Sequence, residues 1–217
     1  MIAANVQALL AELPVGVELV AAAKGRTAAE VLTAIQAGVR TIGENYLQEA
    51  IGHRTIIGPR AALHFIGALQ QNKVKLAVSL CDMIETVDSL VLAQAINHHA
   101  ARLDKIMPVL IEINSGREPQ KAGVLPEKAE ELVNLIACLD HIRIRGLMTM
   151  GPRTEDPNTA RPYFATTRRL FEYFQQTTTA RVTMEFLSMG MTNSYRIALQ
   201  EGANTIRLGS KIFDDRS

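Results

Sequence analysis

Lys24 closes the apolar run Val17 to Ala23 (VELVAAAK) and stands directly before a helix-start signal. At the end of a buried strand, apolar neighbours and scarce water disfavour the ammonium form and leave more of the nucleophilic neutral amine. That is the environment a Schiff-base lysine needs. Taken alone, the segment reads more simply as a surface lysine ending a strand, because lysines are usually solvated. Two segments near the C-terminus add a different chemistry. Leu187-Ser-Met-Gly-Met-Thr-Asn-Ser194 sets Gly190 among small hydroxyl residues between a strand and a helix start, and Arg207-Leu-Gly-Ser210 repeats the pattern after the next strand. Exposed backbone N–H groups, small side chains and a helix dipole are what a phosphate dianion requires. One Gly-Ser pair would be an ordinary tight turn; two such loops in succession point to an anion site.

The elements that would hold these groups alternate along the chain. After an opening amphipathic helix, strand Val17 to Lys24 is followed by Thr27-Ala-Ala-Glu30, a capping box, and by Val31, Leu32 and Ile35 on a helical face ending at Gly38. Further strands are expected at Thr41 to Glu44, Leu63 to Leu69, Met83 to Val87, Pro108 to Asn114, Ile142 to Met150, Met184 to Met189 and Thr205 to Leu208. Between them, Leu92, Ile96, His99 and Leu103 share one helical face, Leu132, Leu135, Ile136 and Leu139 another, and Phe164, Leu170, Phe171 and Phe174 a third, with Pro126 well placed at a helix start. Roughly eight strands alternating with helices suit a parallel sheet, closed as a (β/α)₈ barrel or open and doubly wound. The related segments IQAGVRTIGEN and LQEGANTIRLGS favour the barrel, each with a glycine, Gly38 or Gly202, suited to a left-handed cap. The expectation is an α/β fold, a TIM barrel forming a single domain over residues 1–217 with an N-terminal helix. In a barrel the loops Ser115 to Gly123 and Gly151 to Pro157, each directly after a strand, belong to the catalytic face.

Composition narrows the function. With 47% apolar and 21% charged residues, the chain has material for one sizeable core, and its net charge of +1 argues against nucleic acid or a membrane as a strongly electrostatic partner. Cys81 and Cys138 carry no metal-ligand spacing and read as buried thiols in a reducing compartment. The N-terminus has no basic n-region, and its stripe of Val6, Leu9, Leu10 and Leu13 reads as an amphipathic helix rather than a signal peptide. No stretch is long and apolar enough to span a bilayer, so a cytoplasmic location is expected.

A strand-end lysine and a phosphate cradle on one barrel face suggest pyridoxal 5'-phosphate, which needs an amine for its aldehyde and an anchor for its phosphate. Arg207 would then face the pyridine nitrogen, where a guanidinium, always a donor, leaves that nitrogen unprotonated and the ring a weaker electron sink. The chain resembles the YggS/PROSC family of pyridoxal phosphate homeostasis proteins, similar in fold to the N-terminal barrel of bacterial alanine racemases. The matching segments include LVAAAK ending at Lys24, IGENYLQE from Ile42, HFIGALQQNK from His64, VLIEIN from Val109 and KAG from Lys121. IRGLMTM from Ile144, ARPYF from Ala160, LSMGMTN from Leu187 and IRLGSKIF from Ile206 complete the set.

The resemblance implies a Schiff base on Lys24, phosphate contacts from Ser188, Gly190, Thr192, Gly209 and Ser210, Arg207 at the pyridine nitrogen, and Asn45 and His64 lining the ring. His64 reads equally as a core histidine and Asn45 as a loop tie; Lys121 reads as a solvated surface lysine, or as a residue that receives cofactor on its way out. The chain departs from the family pattern at Ala23 and Gly25 (usually Ser and Thr), Leu63 (Trp), Ser194 (Asp) and Asp214 (Gly). A barrel-type racemase takes a second acid/base from an added β-domain and a partner subunit, and this chain ends four residues after Phe213. A cofactor carrier acting in pyridoxal phosphate homeostasis and amino-acid and keto-acid balance is therefore expected, monomeric and without catalytic activity of its own. The alternatives are a one-base amino-acid racemase or other pyridoxal phosphate enzyme, and a regulatory partner protein that reports vitamin B6 status. Apoenzymes that need the cofactor, or a regulatory protein, would be its protein partners.

Overall fold

The computed structural model describes residues 1–152 and 156–214. Eight parallel strands close into a barrel in chain order: β1 Glu18–Ala22, β2 Thr41–Glu44, β3 Ala62–Phe65, β4 Met83–Val87, β5 Met107–Ile113, β6 Ile142–Thr149, β7 Val182–Ser188 and β8 Thr205–Leu208. Closure is made by β1 on β8, with Glu18 to Ala21 in register with Thr205 to Leu208. The open doubly wound alternative is thereby excluded. Around the barrel run α2 Ala28–Gln36, α3 Leu47–Ile57, α4 Val74–Leu80, α5 Leu90–Ala101, α6 Ala129–Ala137, α7 Arg161–Gln175, α8 Tyr195–Gln200 and α9 Ser210–Phe213, and α1 Ile2–Glu12 packs beside α2 and α9.

Alternation along the strands sorts their side chains. Leu19, Ala21, Ile42, Leu63, Ile84, Ile111, Leu147, Ile206 and Leu208 point outward into the main core beneath the helices, and Met83, Leu110, Met148 and Phe186 fill the barrel. The capping box forms as its residues dictate: Glu30 N–H donates to Thr27 Oγ1 at 3.3 Å and Thr27 N–H to Glu30 Oε2 at 2.7 Å. Gly38 and Gly202 take φ of +123° and +87°, the left-handed caps that the two related segments call for ahead of β2 and β8.

Several details differ from the sequence pattern. β1 stops at Ala22 rather than Lys24, because the chain turns through Gly25 at φ +68°. β3 ends at Phe65 rather than Leu69; Gly67 swings close to Asn45, and its carbonyl accepts the Thr86 hydroxyl at 2.7 Å. On α5 the inner face is completed by Ala93 and Ala100, while Leu103 lies past the helix end and is 53% exposed. On α6 Val133 and Ala129 take the place assigned to Leu135, which lies off the buried face and is exposed. Cys81 is buried as expected, but Cys138, at the C-terminal end of α6, is exposed. Residues 153–155 of the loop after β6, and 215–217, lie outside the described residues.

Candidate functional site

At the C-terminal mouth of the barrel lies a cavity of about 190 Å³. Ile66, Met150 and Met191 give it apolar walls, Asn45 enters from the loop after β2, and Arg207 lies against it from β8. One end is polar. Thr192 and Ser210 bring their hydroxyls within 3.0 Å of one another, and the Gly209 backbone passes beside them. The loop after β7 reaches this position through Gly190, whose φ of +90° suits glycine and whose Cα faces Ala198 and Tyr195 so closely that a Cβ would lie 2.7 Å from Ala198 Cβ. Ser194 steadies the same loop by accepting the Met191 N–H at 3.3 Å. The pocket thus joins a cationic side, a hydroxyl-lined end and apolar walls.

Beneath the cavity runs a buried polar network. The Arg207 guanidinium donates to the Ser188 hydroxyl, to the Thr149 carbonyl at 2.9 Å and to Met150 Sδ at 3.4 Å. Three of its five N–H donors are accounted for in this way, so donors remain for a group in the cavity. Glu85, fully buried on β4, accepts from Ser188 Oγ at 2.7 Å, pairs with His64 Nδ1 at 2.8 Å, and lies 3.9 Å from Arg207. Burial is the largest influence on Glu85 and pushes its pKa up; His64, Arg207 and Ser188 together outweigh it, so the carboxylate is held below its ordinary value and charged. Burial lowers the pKa of Arg207, opposed by Glu85 and Glu112. Glu112, facing the same interior from β5, has its carboxyl raised to about 7 by burial, against Arg207 and reinforced by Asp88.

Of the residues singled out from the sequence, Asn45, Thr192, Arg207, Gly209 and Ser210 line the cavity together. Ser188 is fully buried below it, its hydroxyl engaged by Arg207 and Glu85, and Gly190 shapes the loop. His64 is likewise buried and held by Glu85. Lys24 corrects the expectation of a lysine starved of water: it is exposed, because the strand ends two residues earlier and the turn lifts it to the barrel rim, where Nζ lies 5.4 Å from the centre of the Tyr46 ring. Ala22, the last residue of β1, lines the cavity, whereas Lys24, two residues beyond the strand, stands outside its lining. Lys121, by contrast, is not freely solvated; its ammonium pairs with Glu118 at 2.6 Å and donates to the Gly151 carbonyl at 3.4 Å. Glu85 and Glu112 join the site through barrel closure, and the sequence signal for each is a lone acid inside an apolar strand (MIETV, VLIEI).

A profile of the alanine racemase N-terminal domain family matches residues 1–217. The pyridoxal phosphate homeostasis protein of Aquifex aeolicus is 36% identical over 180 residues, 82% of this chain and 78% of that protein. The chain belongs to this family. The solved structures of PipY from Synechococcus elongatus, 32% identical, superpose at TM-scores of 0.91 without pyridoxal phosphate and 0.89 with it bound, each covering 98% of this chain and all of PipY. Alanine racemase of Clostridium difficile shares the fold at a TM-score of 0.78 and 18% identity, with 55% of its length matched.

Proposed function

We propose that this chain binds pyridoxal 5'-phosphate in the cavity at the barrel mouth, holds it through Lys24, and serves its homeostasis in the cytoplasm as a monomeric carrier rather than as an enzyme. The reading is carried by the convergence of a hydroxyl pair, Thr192 with Ser210, and an arginine against one small cavity at the rim where Lys24 stands. The fit is chemical: the hydroxyls and the first N–H groups of the α9 turn suit a phosphate, Ile66, Met150 and Met191 suit the faces of a ring, and the free donors of Arg207 suit a ring nitrogen. Bound there, the cofactor supplies an aldehyde that an amine can capture and a ring that withdraws electrons. Arg207 limits the second property, because a guanidinium donates its proton without giving it up and leaves the ring nitrogen unprotonated. Holding is thereby favoured over carbanion chemistry. A PipY structure with pyridoxal phosphate bound supports the same reading at 32% identity.

The test is the near-ultraviolet and visible spectrum of the purified protein mixed with pyridoxal phosphate, followed by borohydride reduction and peptide mapping, beside Lys24→Ala. A bound-cofactor band, with label fixed on Lys24 and missing from the variant, is the expected outcome. Label scattered over surface lysines, or no band, would refute it. Proton exchange at Cα of added amino acids, measured on the loaded protein, is expected to stay at background; turnover would restore the racemase reading.

A further inference from the structure

The turn that carries Lys24 is held from below by one face of α3. Tyr46, the residue before the helix, lies under the lysine; Glu49 Oε2 accepts the Gly25 N–H at 2.7 Å; and His53 Nε2 lies 3.1 Å from the Arg26 carbonyl oxygen. The other ring nitrogen of His53, Nδ1, is 2.6 Å from Glu44 Oε1 at the end of β2. Glu44 is fully buried and its second oxygen, Oε2, has no partner among the described residues; His53 is 5% exposed. The lysine side chain itself takes no part in these bonds.

The proton inventory of this cluster is constrained. A carbonyl can only accept, and so can an ionised carboxylate, while a neutral imidazole owns a single N–H. His53 can therefore satisfy both neighbours only if it shares one further proton with Glu44, residing on the imidazole or on the carboxyl. We propose that Glu44 and His53 are positioning residues that, by sharing this proton, fix the Gly25–Arg26 turn and so set where Lys24 stands at the barrel rim. The inference rests on the reading of Lys24 as the cofactor-holding residue.

The surroundings favour retention of the proton. Burial raises the Glu44 carboxyl to about 7, opposed by His53 and reinforced by the neighbouring Glu49. The Arg26 guanidinium points away, to Glu30 and to the carbonyls of Phe213 and Asp214, and so gives the Glu44 carboxylate no counter-ion. Cys81, beyond the end of α4, has its thiol pushed up to about 12 by burial and stays neutral. When the pair loses its proton, one N–H remains for two acceptors, and either the Arg26 carbonyl or Glu44 is left unpaired.

Amide hydrogen exchange of the cofactor-free full-length chain reads this directly, with rates at Gly25, Arg26 and Thr27 normalised for the intrinsic effect of pH. Protection of these amides is expected to fall about tenfold from pH 6 to pH 8.5, the worth of one hydrogen bond. Glu44→Gln is the diagnostic variant: its amide donates to Nδ1, which frees the Nε2 proton for Arg26, so both contacts survive and the pH dependence disappears. Above the transition Glu44→Gln should also bind pyridoxal phosphate about tenfold more tightly than the native chain, and equally below it. The double variant Glu44→Gln/His53→Leu, which buries no lone charge, should show low protection throughout. A flat profile in the native chain, or the same fall in Glu44→Gln, overturns the shared proton. Loosening of the turn with no parallel change in affinity overturns the positioning of Lys24. Because exchange is measured without cofactor, failure of the protein to bind pyridoxal phosphate would count against the proposed function alone.

Discussion

Glu112→Gln isolates the electrostatics of the barrel interior. The side chain is 6% exposed, and burial raises its carboxyl from 4.5 to about 7, with Arg207 opposing and Asp88 adding to the rise. Glutamine keeps the volume and polarity and removes the titration. The unfolded chain releases this proton from about pH 4.5, whereas the native barrel keeps it until about 7. Within that window the native state binds more protons than the unfolded one, so stability is full below the lower value and is lost as pH rises through the upper. At about 1.4 kcal/mol per pH unit, the interval from 4.5 to about 7 amounts to a loss of about 3 kcal/mol. Urea unfolding of both proteins at about pH 5 and about pH 8 should show the difference between them moving by about 2.5 kcal/mol in favour of glutamine, on the order of 1 M in midpoint. The constant offset of the substitution drops out of this comparison. A difference that is the same at both pH values would refute the buried, proton-retaining carboxyl.

Arg207→Met leaves Glu85 charged in the interior without its cation, and unfolding in urea should show a loss of about 3 kcal/mol, much of it recovered in Arg207→Met/Glu85→Gln. Gly190→Ala must place a Cβ 2.7 Å from Ala198 and 2.8 Å from Tyr195 Cα at a φ of +90°. It should cost about 2 kcal/mol in stability and weaken binding of pyridoxal phosphate more than that of unphosphorylated pyridoxal, measured by titration. A thiol reagent should modify Cys138 promptly in the folded protein and Cys81 only on unfolding, since Cys81 is buried with its thiol pushed up to about 12; peptide mapping distinguishes them.

What the sequence made legible was local. β2, β4 and β8 begin and end where alternation and turn residues place them, and the Thr27 cap and the Gly38 and Gly202 turns follow from residues only a few positions apart. The loops bearing Thr192, Gly209 and Ser210 were legible for the same reason. The polar partners of Arg207 were not: Glu85, Ser188 and Thr149 come from β4, β7 and β6, and only barrel closure brings them to one guanidinium. Pairing over such separations leaves no trace in periodicity.

Lys24 shows the limit from the other side. Its apolar run suggested burial, yet the strand ends at Ala22 and the lysine stands exposed on the rim. Its placement is decided by Glu49 and His53 on α3, a helix whose inner face mixes Leu47, Ala50 and Ile57 with that histidine and so carries a weak amphipathic signal. Two departures from the family pattern acquire a backbone meaning here. Gly25 occupies φ +68°, a conformation that threonine adopts at a cost, and Asp214 occupies φ +62° where the resemblance leads one to expect glycine. Gly25 and the α3 contacts therefore act on the same turn, one by allowing its conformation and the other by tying its N–H and carbonyl groups. A β-branched residue at position 25 would have to strain that turn or re-aim Lys24, and the hydrogen bonds from Gly25 to Glu49 and from His53 to Arg26 would be the first to break.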